Sequence, residues 1–286
     1  MMDYRIDTFL LVCERMNYRK TAEILGITQP AVSQQIHFLE QQYGCKLFVY
    51  KNARLQKNEA AELLEQYARA MRLQEQHLRQ KLNCKIQELK IGATKTIGDY
   101  VLKEQIRAFL TPEDHALSLV VDNTEHLLKL LEENQLDFAV VEGYFDRSRF
   151  DSQLLRLEPF VGVCSKDHPF AGREITLPEL FSQTLIHREE GSGTRAILEQ
   201  MLQSRNQSLS QFKRQICISS FPVILDLVKN GYGVSFVYQV LADSDPDIAK
   251  FTISGETILR EFRIVYLKYA DLQEKIDAFL PPSAAQ

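Results

Sequence analysis

Residues 18–48 read YRKTAEILGITQPAVSQQIHFLEQQYGCKLF. In this stretch Ala22, Leu25, Ile27, Val32, Ile36 and Leu39 recur at spacings that place them on the inner faces of two short helices meeting at a tight turn. Gly26 marks the turn. Thr28 can cap the second helix through its hydroxyl. Pro30 falls in the first helical turn, where a missing N–H costs nothing and a fixed φ helps. The outward positions are then Gln29, Ser33, Gln34 and His37, and short polar or amide side chains near a helix N-terminus suit hydrogen bonding to base edges in the major groove. The pattern predicts a helix-turn-helix that reads DNA, with Gln29 and Ser33 as the first base readers, Gln34 next, and Pro30 able to touch a thymine methyl. A small helical hairpin that merely packs is the competing reading.

The same residues, written T-A-x-x-L-G-I-T-Q-P-A-V-S-x-Q-I-x-x-L-E and continuing to G-x-x-L-F, resemble the N-terminal signature of LysR-type transcriptional regulators from Thr21 to Phe48 almost without a gap. Core, turn, cap and reading positions are matched together, which makes the resemblance specific. It implies a DNA-binding transcriptional regulator with a winged helix-turn-helix at its N-terminus.

At 286 residues the chain exceeds one typical domain, and its 45% hydrophobic content suits a globular protein of two or three domains. No apolar run approaches the ~18 residues of a membrane span, and MMDYRID is not the basic start of a signal peptide. A cytoplasmic protein without membrane contact is expected. Five cysteines, Cys13, Cys45, Cys84, Cys164 and Cys217, include no C-x-x-C pair, which argues against a disulfide framework or a zinc site and for buried, inert thiols. Net charge is -4, unevenly spread: residues 1–84 carry 12 Lys and Arg against 9 Asp and Glu, the remainder 22 against 29. A mildly basic reader joined to an acidic body is compatible with phosphate contact at one end only.

Residues 49–58, VYKNARLQKN, carry Lys51, Arg54 and Lys57 and read as a basic wing beside the phosphate backbone, with Lys51 and Arg54 as the contacts. The wing departs from the resembled family, which usually has Arg where Tyr50 stands and a Leu-Thr-x-Ala-Gly run where this chain has Lys57, Asn58, Glu59, Ala60 and Ala61. Residues 59–83 lack Gly and Pro and place Ala60, Leu64, Tyr67, Met71, Leu78 and Leu82 near heptad spacing. One long helix is predicted, its apolar seam meeting the same helix of a second subunit rather than its own chain, so that two reading helices reach half-sites about one DNA turn (~34 Å) or a multiple apart.

From Gln87 the pattern turns to α/β. Strands are predicted at residues 89–93, 116–121 and 136–141, with helices over 97–110 and 125–134, as in parallel βαβ units. A second lobe follows from near Pro159, with strands at 160–165, 184–187, 215–218 and 234–237, helices at 194–204 and 221–229, then a returning strand at 261–266 and a helix around 271–280. Two lobes joined by chain crossings resemble a periplasmic-binding-protein-like effector domain, as the family resemblance implies. The expected division is 1–58 for the winged helix-turn-helix, 59–86 for the linker and dimerisation helix, and 87–286 for the effector domain, with lobe I over 87–159 and 261–286 and lobe II over 160–260.

Ligands of open α/β sheets gather at the carboxyl ends of strands. Thr94, Lys95 and Thr96 follow the first strand and offer hydroxyls, amides, a helix start and a charge. Gly191, Ser192 and Thr194 open a helix in the second lobe, inside an R-E-x-G-S-G-T-R run that members of the resembled family often carry. Glu142 ends the third strand, at a position that lines the interlobe cleft in similar proteins, where a carboxylate can select a hydrogen-bond donor or cation. For each loop a plain capped helix is the alternative. A small anionic effector between the lobes is expected, with no cofactor or metal. Further expected partners are a double-stranded DNA operator, a second copy of the chain as homodimer or homotetramer, and RNA polymerase if the protein is an activator.

An enzyme is the main reading from another class, since Ser192, His187 and Glu189 lie close in sequence. Their order fits no familiar triad, and no Walker loop, H-E-x-x-H, G-x-S-x-G or dinucleotide fingerprint is present. No catalytic residue is therefore assigned. A redox sensor would need two thiols able to meet or one activated thiolate. Cys164 and Cys217 both fall in predicted strands, where burial is the expectation.

Overall fold

The computed structural model describes residues 3–52, 54–83, 87–255 and 257–281, so Cys84 lies outside the described residues. The chain begins with α1 (Tyr4–Arg15), α2 (Tyr18–Leu25) and α3 (Gln29–Tyr43). Local chemistry sets their ends: the side chains of Asp3, Asn17 and Thr28 accept from the N–H groups of Arg5, Lys20 and Ala31. Gly26 closes α2 in the left-handed region at φ 66°, a conformation that suits a residue without Cβ. Phe9, Val12, Ala22, Val32, Ile36, Leu39, Leu47 and Phe48 form the core beneath. Leu25 and Ile27, expected on the inner face, are each 37% exposed. They flank Gly26, where the chain leaves helical geometry and the 3.6-residue period no longer decides which side faces inward.

The wing is an antiparallel hairpin of β1 (Phe48–Lys51) and β2 (Arg54–Lys57). The long helix α4 (Glu59–Asn83) follows with the extent its composition predicts. It does not leave all of its apolar seam free. Tyr67 stacks on Tyr269 with ring centroids 4.0 Å apart, and Ala61, Ala68 and Leu73 are buried against the same chain. Leu63, Met71, Leu78 and Leu82 remain exposed.

Beyond α4 the chain forms β3 (Gln87–Ala93), α5 (Lys103–Phe109), β4 (His115–Val121), α6 (Thr124–Glu132) and β5 (Phe138–Val141). Next come β6 (Phe150–Ser165), β7 (Glu174–Ile175), α7 (Leu177–Phe181), β8 (Thr184–His187), α8 (Gly193–Gln203), β9 (Arg214–Cys217) and α9 (Phe221–Lys229). The last elements are β10 (Ser235–Tyr238), α10 (Gln239–Ala242), β11 (Ile248–Ile253), β12 (Ile258–Leu267) and α11 (Gln273–Phe279). The main sheet has the order β4-β3-β5-β12-β6-β11-β7, with β10 also on β6. In it β3 runs parallel to β4 and β5, as the βαβ pattern predicts. A second, two-stranded sheet pairs β8 and β9 in parallel.

Three local expectations change. The helix expected over 97–110 divides into a π-turn, Ile97–Val101, and the shorter α5. The strand expected at 160–165 is the end of one 16-residue strand, β6, which pairs with β12 from Phe150 to Phe160 and with β10 and β11 beyond. Cys13 and Cys164 are buried as expected, whereas Cys45 and Cys217 are exposed. Cys45 follows the left-handed Gly44 in a loop, and Cys217 ends β9, whose two-stranded sheet leaves most of its side chains uncovered.

The core tolerates little added volume where β6 passes beneath the ring of Phe251. A Cβ at Gly162 would lie 2.3 Å from that ring, itself held by Phe170 and Phe236 at centroid distances of 5.4 and 5.6 Å. Gly162→Ala is expected to lower stability by about 1–3 kcal/mol in urea unfolding. Gly193→Ala, which meets nothing within 4 Å, should stay within about 0.5 kcal/mol of wild type. Equal unfolding midpoints for the two variants would remove the packing argument.

Candidate functional site

The first site is the outer face of α3. Thr28 caps it and Pro30 lies in its first turn. Gln29, Gln34 and His37 are exposed and Ser33 is half-buried. Gln29 Nε2 donates to Ser33 Oγ at 3.1 Å, which holds the two as a pair one helical turn apart. His37 is 3.0 Å from Gln41 and 3.7 Å from Glu40. Burial opposes charge on Glu40, yet the Leu47 N–H at 3.0 Å and the Lys46 ammonium at 2.7 Å hold its carboxyl below the usual range. Glu40 therefore ties α3 to the start of the wing. Lys51 and Arg54 face each other across the hairpin, both exposed. Lys57 is used differently from its place in the expected basic wing: its ammonium pairs with buried Glu65 at 2.6 Å.

The second site lies where strands end. Thr94, Asp122 and Glu142 follow the carboxyl ends of the parallel strands β3, β4 and β5, and Arg188 follows β8. Thr94 is buried, and its hydroxyl donates to Glu142 Oε2. The Thr94 N–H is donated to Val140 O at 3.1 Å, so the sheet consumes an amide that was expected to face a ligand. Thr96 is buried and Lys95 exposed. The Lys95 charge acts on both Asp122 and Glu189, and the Arg188 charge on Glu142, which puts the two lobes' groups in one electrostatic neighbourhood.

After β8, α8 starts without a cap. Ser192 makes no capping hydrogen bond, and its Oγ lies 3.0 Å from Thr194 Oγ1. The capped-helix alternative thus does not describe this loop. Helix starts leave amide N–H groups unsatisfied by the helix itself, and these with two hydroxyls form a donor cluster for an anion. Gly191 provides the turn at φ 84°. Among the described residues no hydrogen bond or ion pair joins Ser192 or Thr194 to Thr94 or Glu142.

Arg188 and Tyr238 were not assigned to the site from sequence. Arg188 is buried, paired with Glu189 through two contacts of 2.7 Å, and lies over the Phe221 ring at 4.4 Å. Tyr238 ends β10, fully buried. Arg188 opens the R-E-x-G-S-G-T-R run and follows a strand, while the signal available for Tyr238 was its place at a strand's carboxyl end. Among the described residues no group of three or more His, Cys, Asp or Glu is placed to hold a metal, and no helix is long and apolar enough to cross a membrane.

Residues 4–62 match the family described as bacterial regulatory helix-turn-helix protein, lysR family, and residues 85–281 match the LysR substrate binding domain. The chain is similar to the HTH-type transcriptional regulator CysL of Bacillus subtilis, with 28% identity over 289 residues, 97% of this chain and 90% of the relative. Its fold is shared by full-length LysG from Corynebacterium glutamicum with bound effector Arg, at a TM-score of 0.66 and 16% identity, covering 100% of this chain and 98% of that one. The Synechocystis CcmR regulatory domain in complex with 2-PG gives 0.59 and 22%, covering 68% and 95%.

Burial pushes the Glu142 carboxyl up to about 7, against the pull of its own backbone N–H and of Arg188. The folded chain therefore keeps a proton there that the unfolded chain releases near the usual 4.5. This contribution to stability is complete below that value and is lost as pH rises through about 7. Glu142→Gln, neutral throughout, should gain in Tm over wild type as pH is raised from about 5 to about 8. A Tm difference that does not change with pH would show that Glu142 ionises normally.

Proposed function

The chain belongs to the LysR family of transcriptional regulators, which are not enzymes, and from that premise we propose that it is a DNA-bound switch worked by a small anion held between its two lobes. The helix-turn-helix and the substrate-binding domain belong to that family. The assignment of roles to residues is our own. Gln29, Ser33 and Gln34 read base edges, with Thr28, Pro30 and His37 beside them, and Lys51 and Arg54 hold phosphates. Thr94, Lys95, Thr96, Glu142, Gly191, Ser192 and Thr194 line the effector site.

The uncapped start of α8 is the observation that carries the anion reading: the Ser192 hydroxyl turns to Thr194 and leaves the first amides of an 11-residue helix for a ligand. LysG with Arg and CcmR with 2-PG support small polar ligands in domains of this fold. Effector-driven closure of the lobes then shifts the population of assemblies and with it the angle between paired DNA-binding modules. The pairing runs through α4, where Leu63, Met71, Leu78 and Leu82 form an exposed apolar face suited to a second copy of the helix. We divide the chain into reader, linker helix and effector domain at 1–58, 59–86 and 87–286. A regulator built this way acts in the cytoplasm on a DNA operator, as homodimer or homotetramer, and reaches RNA polymerase if it activates.

Footprinting upstream of its own gene should protect two half-sites about one turn (~34 Å) or a multiple apart; protection of a single half-site would overturn the dimer. Gln29→Ala should relax specificity at one base pair and weaken operator binding by about 1–3 kcal/mol, whereas Lys51→Ala and Arg54→Ala should weaken all sequences alike. Equal losses on operator and random DNA for Gln29→Ala would remove its reading role. Thermal unfolding against a panel of carboxylates and inorganic oxyanions should reveal at least one that raises Tm, and Ser192→Ala should reduce that shift. A Tm indifferent to the whole panel would refute the anion.

A further inference from the structure

One group in the cleft has no charge to match it. The Glu142 carboxyl accepts the Thr94 hydroxyl, and among the described residues no Lys, Arg or His forms an ion pair with it. Arg188, the cation whose charge reaches it, is committed elsewhere by its double contact with Glu189 and its seat on Phe221. A second unmatched group is the Tyr238 hydroxyl, buried and, among the described residues, without a hydrogen-bond partner. Burial chiefly, and the Glu142 charge next, push that phenol upward, so the two side chains lie within electrostatic reach.

A buried carboxyl with no cation paired to it and a buried hydroxyl with no partner among the described residues are groups that native proteins seldom keep without a use. Their chemistry selects what can complete them. A plain anion brought to this wall finds no counter-charge there, and wherever Glu142 is ionised it meets a like charge. A protonated amine brings the missing counter-ion and has N–H donors for both Glu142 and the Tyr238 oxygen. The uncapped start of α8, with the Ser192 and Thr194 hydroxyls, offers donors alone and suits a carboxylate.

We propose that the effector is a zwitterion, a small carboxylate that also carries a protonated amine, with the amine received by Glu142 and Tyr238 and the carboxylate by the start of α8. This rests on the reading that the cleft takes an anion, and adds to it the cationic end of the ligand.

The test uses the full chain and matched ligand pairs: L-amino acids against their des-amino carboxylic acids, such as alanine with propionate and aspartate with succinate, together with inorganic phosphate. Thermal shift and calorimetric titration should find an amino acid that binds about tenfold or more tightly than its des-amino partner, the scale of one charged hydrogen bond. Glu142→Gln should abolish that preference, and Ser192→Ala should weaken both members of the pair alike. Tyr238→Phe keeps the buried ring and removes only the unpartnered hydroxyl, so it should fold normally and lose part of the same preference. If propionate, succinate or phosphate binds wild type as well as any amino acid does, or if Glu142→Gln leaves the preference intact, the zwitterion is overturned while the anion site stands. Silence from every ligand in the panel overturns both readings.

Discussion

Both lobes hang from one antiparallel ladder. β6 and β12 pair from Phe150 opposite Leu267 to Phe160 opposite Ile258, with a single register shift between Phe262 and Arg263. β12 carries β5 and, through it, β3 and β4; β6 carries β10 and β11. The strands that lead to Thr94 and Glu142 and the one that ends at Tyr238 are thereby all built on one sheet. The side chains around the ladder reinforce it. Glu158 on β6 accepts the Val240 N–H at 2.8 Å and pairs with Arg156 at 2.7 Å, while Arg156 lies over the Phe262 ring at 5.5 Å.

The DNA-reading end is coupled to this frame through α4. Glu65, buried on that helix, receives Lys57 from the wing at 2.6 Å and Arg69 at 2.7 Å, and Arg69 continues to the Glu132 carbonyl at the end of α6. One turn and more beyond, His77 and Lys275 meet Asp137 at 2.5 and 2.8 Å, and Asp137 also accepts the Lys90 N–H at 2.8 Å. Burial opposes charge on Glu65 and Asp137, but their partners win and hold both carboxyls below the ordinary range. Removing one partner from such a buried pair typically costs about 3–5 kcal/mol, because the remaining charge is left uncompensated. A wing lysine that serves this chain is withdrawn from phosphate contact, and the wing is tied through Glu65 and Arg69 to the end of α6.

The Thr28 cap, the turn at Gly26, the span of α4 and the parallel order of β3, β4 and β5 were legible in the sequence. Each depends on residues a few positions apart or on a regular period: a Thr28 hydroxyl reaches Ala31, and a helix without Gly or Pro continues until something ends it. The outer face of α3 was legible for the same reason. Gln29, Gln34 and His37 are outward because Val32, Ile36 and Leu39 on the same helix are inward.

What the amino-acid order determined by itself is therefore the local grammar: a capped reading helix, a hairpin wing, a long linker helix and alternating strands and helices whose carboxyl ends nominate a site. Tertiary structure alone decided that Tyr67 meets Tyr269, that Lys57 serves Glu65, that Cys217 is exposed, and that β6 runs unbroken where a new strand was expected. It also decided that the Thr94 N–H is spent on Val140, that Ser192 leaves α8 uncapped, that Glu142 is enclosed, and that the Tyr238 hydroxyl has no partner among the described residues. These outcomes arise from pairings that no helical or strand period dictates, or from competition for the same hydroxyl or amide. Burial and partner choice are properties of the packed molecule, and no local pattern in the chain encodes them.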